Sequence, residues 1–159
     1  MKPTIDILQA LSQSKLYKKE IRQIIEKIVL AGSPREVYRY TEEVLRARFE
    51  AGEALMATDA MVSYWYAFYI LHGPFPLGEK AMASSPSVSF YYAESILKGP
   101  FPMGEPAIAL NAGYSYQYAK DILEGPFPLG EPVIYADSHY RSKYEELFIG
   151  QPDNIEVQP

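Results

Sequence analysis

The sequence predicts an all-α protein, a short α-solenoid of helix–turn–short-helix repeats, each 26 residues long, with an N-terminal helical cap. Three observations predict this fold. The segments GPFPLGE, GPFPMGE and GPFPLGE begin at residues 73, 99 and 125, which are 26 residues apart each time. Helix N-cap residues recur at the same spacing, and so do apolar positions with helical periodicity. Because one repeat is too small to bury its own apolar face, we expect successive repeats to stack.

The repeats cover residues 28–53, 54–79, 80–105 and 106–131, and a degraded fifth repeat covers 132–149. The first repeat lacks the prolines of the shared motif but keeps Phe49, Gly52 and Glu53. Residues 1–27 precede the repeats and are predicted to form one or two helices that cap the first of them. Residues 150–159 are polar and are predicted to form a flexible tail.

Each repeat is predicted to hold one capped main helix. Its N-cap position always carries a side-chain oxygen that can accept from a free backbone N–H group. The five N-cap residues are Ser33, Asp59, Ser85, Asn111 and Asp137. Pro34 and Pro86 follow two of them, at the first helical position, where a missing N–H costs nothing. The main helix is predicted to end at a left-handed glycine followed by proline, at Gly73, Gly99 and Gly125.

A short second helix is predicted to begin near Pro76, Pro102 and Pro128. A recurring glutamate would lie in its first turn, where the helix dipole favours a negative charge. We interpret this glutamate as a helix-cap or inter-repeat contact rather than an acid–base catalyst, since a catalytic group is rarely needed in every repeat. The glutamates are Glu53, Glu79, Glu105 and Glu131. The glycine before three of them, at Gly78, Gly104 and Gly130, indicates close backbone approach between neighbouring repeats.

A tyrosine recurs within the main helix. In the first four repeats it is followed by a small residue and then by aliphatic residues at helical spacing. This i, i+1, i+4, i+5 pattern makes a wide apolar face. The tyrosines are therefore predicted to be core residues rather than a platform for stacking nucleic-acid bases. They are Tyr40, Tyr66, Tyr92, Tyr118 and Tyr144. The recurring Ser63, Ser89 and Ser115 are interpreted as small packing residues rather than nucleophiles.

The segment YAESILKGPFPMGEPAI at 92–108, with its relatives at 116–134 and 38–56, resembles short tandem repeats common in bacteriophage-encoded proteins. Those repeats share a Tyr-Ala pair, an Ile-(Leu/Lys)-x-Gly stop and a Gly/Ala-Glu-Pro segment. The resemblance covers residues 28–134. It implies a phage accessory protein that binds and inhibits a host or anti-phage defence protein, and it carries no catalytic residue.

Composition and charge narrow the function classes. The chain has no cysteine, which excludes disulfides and suits a reducing, cytoplasmic environment (the host cytoplasm if the protein is phage-encoded). Its start turns polar too early for a secretory signal, and no apolar stretch is long enough to span a membrane. Residues 51–159 carry thirteen acidic and five basic side chains. This excess disfavours direct binding of nucleic acid, although it suits a basic protein target such as a nucleic-acid-binding enzyme.

No arrangement of residues in the sequence indicates catalysis. His72 and His139 are the only histidines, and neither lies in a zinc-binding pattern. Phosphate-binding and nucleophile motifs such as GxxxxGK[ST], GxGxxG and GxSxG do not occur. The sequence therefore predicts neither an enzyme nor a cofactor or metal site.

The second repeat departs from its neighbours on the outer face of the main helix. Where the first, third and fourth repeats carry mostly charged or polar residues, it carries Met61, Trp65, Phe68, Tyr69 and His72. Aromatic residues of this kind dominate the energetics of protein interfaces. With Tyr91 and Glu94 of the third repeat, these are the predicted partner-binding residues.

Two alternatives to a foreign partner remain for this stripe. The protein could form homo-oligomers through it, as a scaffold or virion-associated protein would. Alternatively, the N-terminal helix could cover it through Ile21, Ile24, Ile25 and Ile28.

Overall fold

The computed structural model describes residues 19–150, with side chains from residue 22 onward. Every regular element in this range is helical, which confirms the all-α class for the described residues. The described residues divide into two compact bodies, one ending at Met82 and the other beginning at Ala83. The predicted helix before residue 19 and the tail from residue 151 lie outside the described residues.

In the N-terminal body, a helix precedes two repeats, and each repeat has a main helix that begins as an α-helix and continues directly as a π-helix. The elements are α1 (Lys19–Leu30), α2 (Pro34–Arg39) with its π segment (Tyr40–Leu45), α3 (Glu50–Met56), α4 (Ala60–Trp65) with its π segment (Tyr66–Leu71), and α5 (Pro76–Met82). Each main helix packs against the short helix of its own repeat, and the two main helices pack side by side.

The C-terminal body repeats this pattern. Its elements are α6 (Pro86–Tyr92) with its π segment (Ala93–Leu97), α7 (Glu105–Ile108), α8 (Ala112–Gln117) with its π segment (Tyr118–Leu123), α9 (Glu131–Ala136) and α10 (Ser138–Phe148). Here too each main helix contacts its own short helix, and α6 packs beside α8. The fifth repeat differs, because α10 is α-helical throughout.

All five predicted N-caps are observed. The Asp59 carboxylate accepts from the Val62 N–H at 2.8 Å, and the Asn111 side chain accepts from the Tyr114 N–H at 3.0 Å. Ser33 forms a capping box with Glu36. Since these contacts satisfy backbone N–H groups that have no partner inside the helix, they fix the residue at which each main helix begins.

The predicted left-handed glycines at the end of the main helix are wrong. The left-handed residue is the one before each glycine: His72 and Lys98 with φ 51°, and Glu124 with φ 49°. Arg46, also with φ 51°, holds the same position in the first repeat, where alanine replaces the glycine. The reason is the π turn, in which one carbonyl ends the helix by accepting two successive N–H groups. The Ala67 carbonyl accepts from the His72 N–H and, at 3.1 Å, from the Gly73 N–H. The first of the two donors has to be left-handed for both to reach the same oxygen.

The start of the short helix matches the prediction in only one of the three repeats. Helix α5 begins at Pro76, but α7 and α9 begin three residues later than predicted, at Glu105 and Glu131. The residue that follows the glutamate explains the difference. It is Lys80 in the second repeat and proline in the next two, and a proline has no N–H with which to close the first helical turn. Residues 102–104 therefore form a turn instead.

The close approach predicted at the recurring glycines exists, but within a repeat rather than between neighbouring repeats. A Cβ atom at Gly78 would lie 2.6 Å from the Cβ of Ser63, on the main helix of the same repeat. The buried Ser63 hydroxyl donates to the Met56 carbonyl at 3.2 Å, which keeps this small side chain in place. Glycine and serine together let the short helix lie directly on the main helix. This packing agrees with the interpretation of the serines as packing residues.

The five recurring tyrosines are buried, as predicted. In the N-terminal body, the Tyr66 hydroxyl accepts from the Phe49 N–H at 3.0 Å and donates to Glu53 Oε1 at 2.9 Å. Tyr118 makes the same two contacts with Phe101 and Glu105, and Tyr144 makes them with Phe127 and Glu131. Since each tyrosine belongs to the repeat after its glutamate, these three glutamates are inter-repeat contacts, one of the two roles predicted.

Alkaline pH is expected to unfold the protein through these tyrosines. Burial, reinforced by the hydrogen bond to a glutamate, raises the pKa of Tyr66 and of Tyr144 to about 12, although the bond from the backbone N–H acts in the opposite direction. An unfolded tyrosine has a pKa near 10. The contribution of each protonated tyrosine to the free energy of unfolding is therefore fully present below pH 10. It is lost as the pH rises towards 12, by up to about 1.4 kcal/mol per pH unit for each tyrosine.

This expectation can be checked by following tyrosinate absorbance and helical circular dichroism together between pH 9 and pH 13. We expect the buried tyrosines to ionise as the helices melt. Tyr66→Phe and Tyr144→Phe should each make the free energy of unfolding less sensitive to pH in this range. Full helicity at pH 13 would contradict the assignment.

Candidate protein-interaction site

The outer face of the second repeat's main helix carries exposed apolar and aromatic side chains. The exposed fractions of Met61, Phe68 and Tyr69 are 41%, 39% and 54%, and His72 is also exposed. Trp65 is half-buried. Asp59 caps this helix and so fixes its register, which brings all five side chains to the outer face. We call these five residues the aromatic surface.

Trp65 differs from the other four residues because its ring is held by the first repeat. The Trp65 ring lies 5.7 Å from the ring of Tyr38, with an angle of 39° between the planes. The guanidinium carbon of Arg35 lies 5.7 Å from the Trp65 centroid, within the range of a cation–π contact. Trp65 is therefore an ordered part of the fold as well as a contact residue, and its removal would disturb packing.

A groove of about 400 Å³ lies beside Trp65, between the main helices of the first and second repeats. Its aromatic residues come from both helices and its charged residues from the first repeat alone. The groove is lined by Arg35, Tyr38, Arg39, Glu42, Glu43, Trp65 and Tyr69. We call it the Trp65 groove.

The charges of the groove are only partly paired. Arg39 forms an ion pair with Glu43 at 3.0 Å, and the Tyr38 hydroxyl donates to Glu42 Oε1 at 2.8 Å. Burial and the hydrogen bond to Glu42 raise the pKa of Tyr38, so this hydroxyl keeps its proton. Within residues 22–150, Arg35 has no carboxylate at ion-pair distance, and Glu42 has only the neutral Tyr38 hydroxyl.

Two of the isoleucines predicted to cover the aromatic surface, Ile24 and Ile28, do not cover it. Helix α1 packs against α2 and α3, where Ile25 and Val29 are buried. Ile24 and Ile28 remain exposed, at 59% and 36%. The alternative of intramolecular cover is therefore wrong for these two residues, and the side chain of Ile21 lies outside the described ones.

Tyr91 and Glu94, the remaining two predicted partner-binding residues, are exposed in the C-terminal body. The ring of Tyr91 lies 5.5 Å from Phe90 and 6.1 Å from Tyr114. Tyr91 thus belongs to a local aromatic cluster of its own body.

No family model, curated protein or solved structure matches the chain. Its function therefore has to be argued from the site itself. Among the described residues, no three His, Asp or Glu side chains are grouped so that they could hold a metal ion. None of the helices in residues 19–150 has the length and apolar character needed to cross a membrane.

Sequence reasoning missed the contribution of the first repeat to this site. Arg35 and Glu42 are two of the charged residues that the sequence predicts for the outer face of the first repeat, and no sequence motif singles out Tyr38. The spacing of Tyr38 and Trp65 could have indicated this contact. Tyr38 precedes Trp65 by 27 residues, which is the length of one repeat plus one residue. Side chains offset in this way can meet when successive main helices pack side by side.

Proposed function

We propose that this chain acts by binding another protein through the aromatic surface, with the Trp65 groove as a second protein-binding surface, and that it catalyses no reaction. The exposure of Phe68 and Tyr69 carries the proposal. The corresponding positions of the other complete repeats hold charged or polar residues, so the repeat architecture does not require aromatic groups there. Exposed aromatic clusters of this kind mark interaction sites on soluble proteins.

We further propose that the repeats stack as a short α-solenoid with an N-terminal helical cap. The side-by-side main helices within each body support this architecture, as do the tyrosine–glutamate contacts between successive repeats. Solenoids offer extended surfaces on which variable side chains recognise partners, and the variable positions here are the outer-face residues.

The proposed target is a host or anti-phage defence protein in the cytoplasm, which the bound chain inhibits. The resemblance to phage-encoded repeats supports this class of target. Residues 83–150 carry eight acidic and four basic side chains, which suits a basic target such as a nucleic-acid-binding enzyme. Tyr91 and Glu94 would contribute to that contact.

The double variant Phe68→Ala/Tyr69→Ala tests the proposed surface. We expect it to bind the target at least tenfold more weakly while its helical content and melting temperature stay close to those of the wild type, because both side chains are exposed. Trp65 is left intact, since its packing on Tyr38 would confuse binding with folding. The measurement is affinity capture from expressing cells with the captured protein identified, followed by titration of the purified pair.

Leu77→Ala provides the matched control. Leu77 is 61% exposed in the same body but lies outside the aromatic surface, so this variant should capture the target like the wild type. Equal capture by the double variant and the control would show that the aromatic surface is not the binding site.

A homo-oligomeric scaffold or virion-associated protein is the second candidate function. The observation that favours it is the mixed charge of the Trp65 groove, which bears two arginines and two glutamates. A surface that carries both signs of charge can complement itself.

A further inference from the structure

We infer that the Trp65 groove binds a second copy of this chain, in a twofold-symmetric contact that pairs Arg35 of each copy with Glu42 of the other. The inference rests on the proposed function, in that it takes the groove to be a protein-binding surface and names the protein that occupies it.

The charges at the two ends of the groove are opposite in sign. Arg35 and Glu42 are seven residues apart on one continuous main helix, so they share a face and lie about 10 Å apart along the helix axis. Arg35 faces the Trp65 ring without an anionic partner in the described residues, and Glu42 accepts only from the neutral Tyr38 hydroxyl. A protein would therefore bind the groove most tightly if it placed a carboxylate opposite Arg35 and a cation opposite Glu42.

A second copy in antiparallel orientation offers this arrangement. In a twofold contact, if residue i of one copy meets residue j of the other, then j also meets i. Reversing the second helix places its Glu42 opposite Arg35 and its Arg35 opposite Glu42, so a single geometry satisfies both charges. A parallel arrangement would bring like charges together, which favours the antiparallel contact.

The centre of the groove has the composition of an interface core. Three rings, those of Tyr38, Trp65 and Tyr69, line the groove together with the ion pair of Arg39 and Glu43, and Tyr69 is 54% exposed. In the twofold contact these rings would pack against the second copy, and aromatic residues are enriched in the cores of protein interfaces. Tyr69 would lose its exposure to water in the process.

Charge balance also favours the groove over the rest of the molecule for self-association. The chain carries a net charge of −5, and residues 83–150 are acidic, so most contacts between copies would be repulsive. The two arginines and two glutamates of the groove cancel each other. Two copies can therefore approach there without net repulsion.

Charge reversal tests this contact. We expect the wild type to have the mass of a dimer, twice 18.0 kDa, by light scattering and sedimentation. Arg35→Glu and Glu42→Arg should each raise the dimer dissociation constant at least tenfold, because each places like charges opposite one another at both ends. Mixing the two variants should restore a 1:1 dimer, since both ends of the mixed pair then join opposite charges. The double variant R35E/E42R should dimerise by itself.

Two controls separate association from folding. A glutamate at position 35 lies in the first helical turn, which tolerates negative charge, so helicity should persist. Glu42→Gln keeps an acceptor for the Tyr38 hydroxyl and should melt like the wild type while dimerising more weakly. Trp65, the only tryptophan, reports on the groove directly: its emission should shift to longer wavelength when the wild type is diluted, but not for Arg35→Glu.

A wild type that stays monomeric at high concentration overturns the inference, and so does a mixture of the two variants that fails to associate. Either result leaves the proposed function to be decided separately, by whether Phe68→Ala/Tyr69→Ala loses a captured foreign protein that Leu77→Ala retains.

Discussion

Replacing Gly104 with alanine is expected to lower the free energy of unfolding by about 3 kcal/mol, at the upper end of the range for an overpacked core. A Cβ atom there would clash with Cδ1 of Phe101 and would lie 2.7 Å from Cβ of Ser89. Both neighbours are buried, so a shift of either would disturb the residues packed around it. The backbone at Gly104 has φ −89°, so backbone strain adds nothing to the effect.

Gly99→Ala is the matched control in the same repeat. Its Cβ would have only one neighbour within 4 Å, the Leu97 carbonyl oxygen at 3.9 Å, and its φ is not positive. We expect the free energy of unfolding of this variant to equal that of the wild type or to exceed it by up to about 1 kcal/mol, because alanine restricts the unfolded chain. Denaturant unfolding of both variants checks the pair. Equal destabilisation of the two variants would show that steric contact with Phe101 and Ser89 does not explain the effect at Gly104.

The parts of the fold that follow from local chemistry could be predicted from the sequence. Asp59 and Asn111 cap helices because their side chains reach backbone N–H groups two or three residues away, and this needs no tertiary information. Burial of Tyr66 and Tyr118 follows from helical periodicity in the same way. Both features recur in all five repeats, where an N-cap residue and a buried tyrosine occupy the same positions.

The end of the main helix could not be predicted in the same manner. A Gly-Pro pair is a common helix stop, so Gly73 was the natural choice for the left-handed residue. His72 is left-handed because the final π turn contains one residue more than an α turn. The identity of residue 72 as histidine does not indicate that the turn is a π turn. The start of the short helix was missed for a different reason, since Pro106 removes a hydrogen bond that Lys80 can make.

For the candidate site, alignment of the repeats predicted which residues are exposed but not what lies beside them. Phe68 and Tyr69 stand out because the other repeats are polar at those positions. The half-buried state of Trp65 depends on its contact with Tyr38, which arises only when two main helices pack side by side. Such a contact is a property of tertiary packing and leaves little trace in one sequence.

Tyr118→Phe is expected to cost about 1–3 kcal/mol of the free energy of unfolding, more than the loss of an ordinary exposed hydrogen bond. The Tyr118 hydroxyl accepts from the Phe101 N–H at 2.8 Å and donates to Glu105 Oε1 at 3.0 Å. Both groups belong to the preceding repeat, so this one hydroxyl joins two repeats. Without it, the buried Phe101 N–H has no acceptor, and the desolvation of that N–H is no longer offset.

Tyr116→Phe, two residues earlier, controls for the loss of a hydroxyl from the same helix. Tyr116 is half-buried against the Tyr140 ring at 5.7 Å, and its hydroxyl has no hydrogen-bond partner in the part of the chain that the structure describes. This variant should therefore unfold within about 0.5 kcal/mol of the wild type. Combining Tyr118→Phe with Glu105→Gln completes the test as a double-mutant cycle. Because both single variants disrupt one network, their effects should be less than additive, whereas additive effects would mean that Tyr118 and Glu105 stabilise the repeats independently.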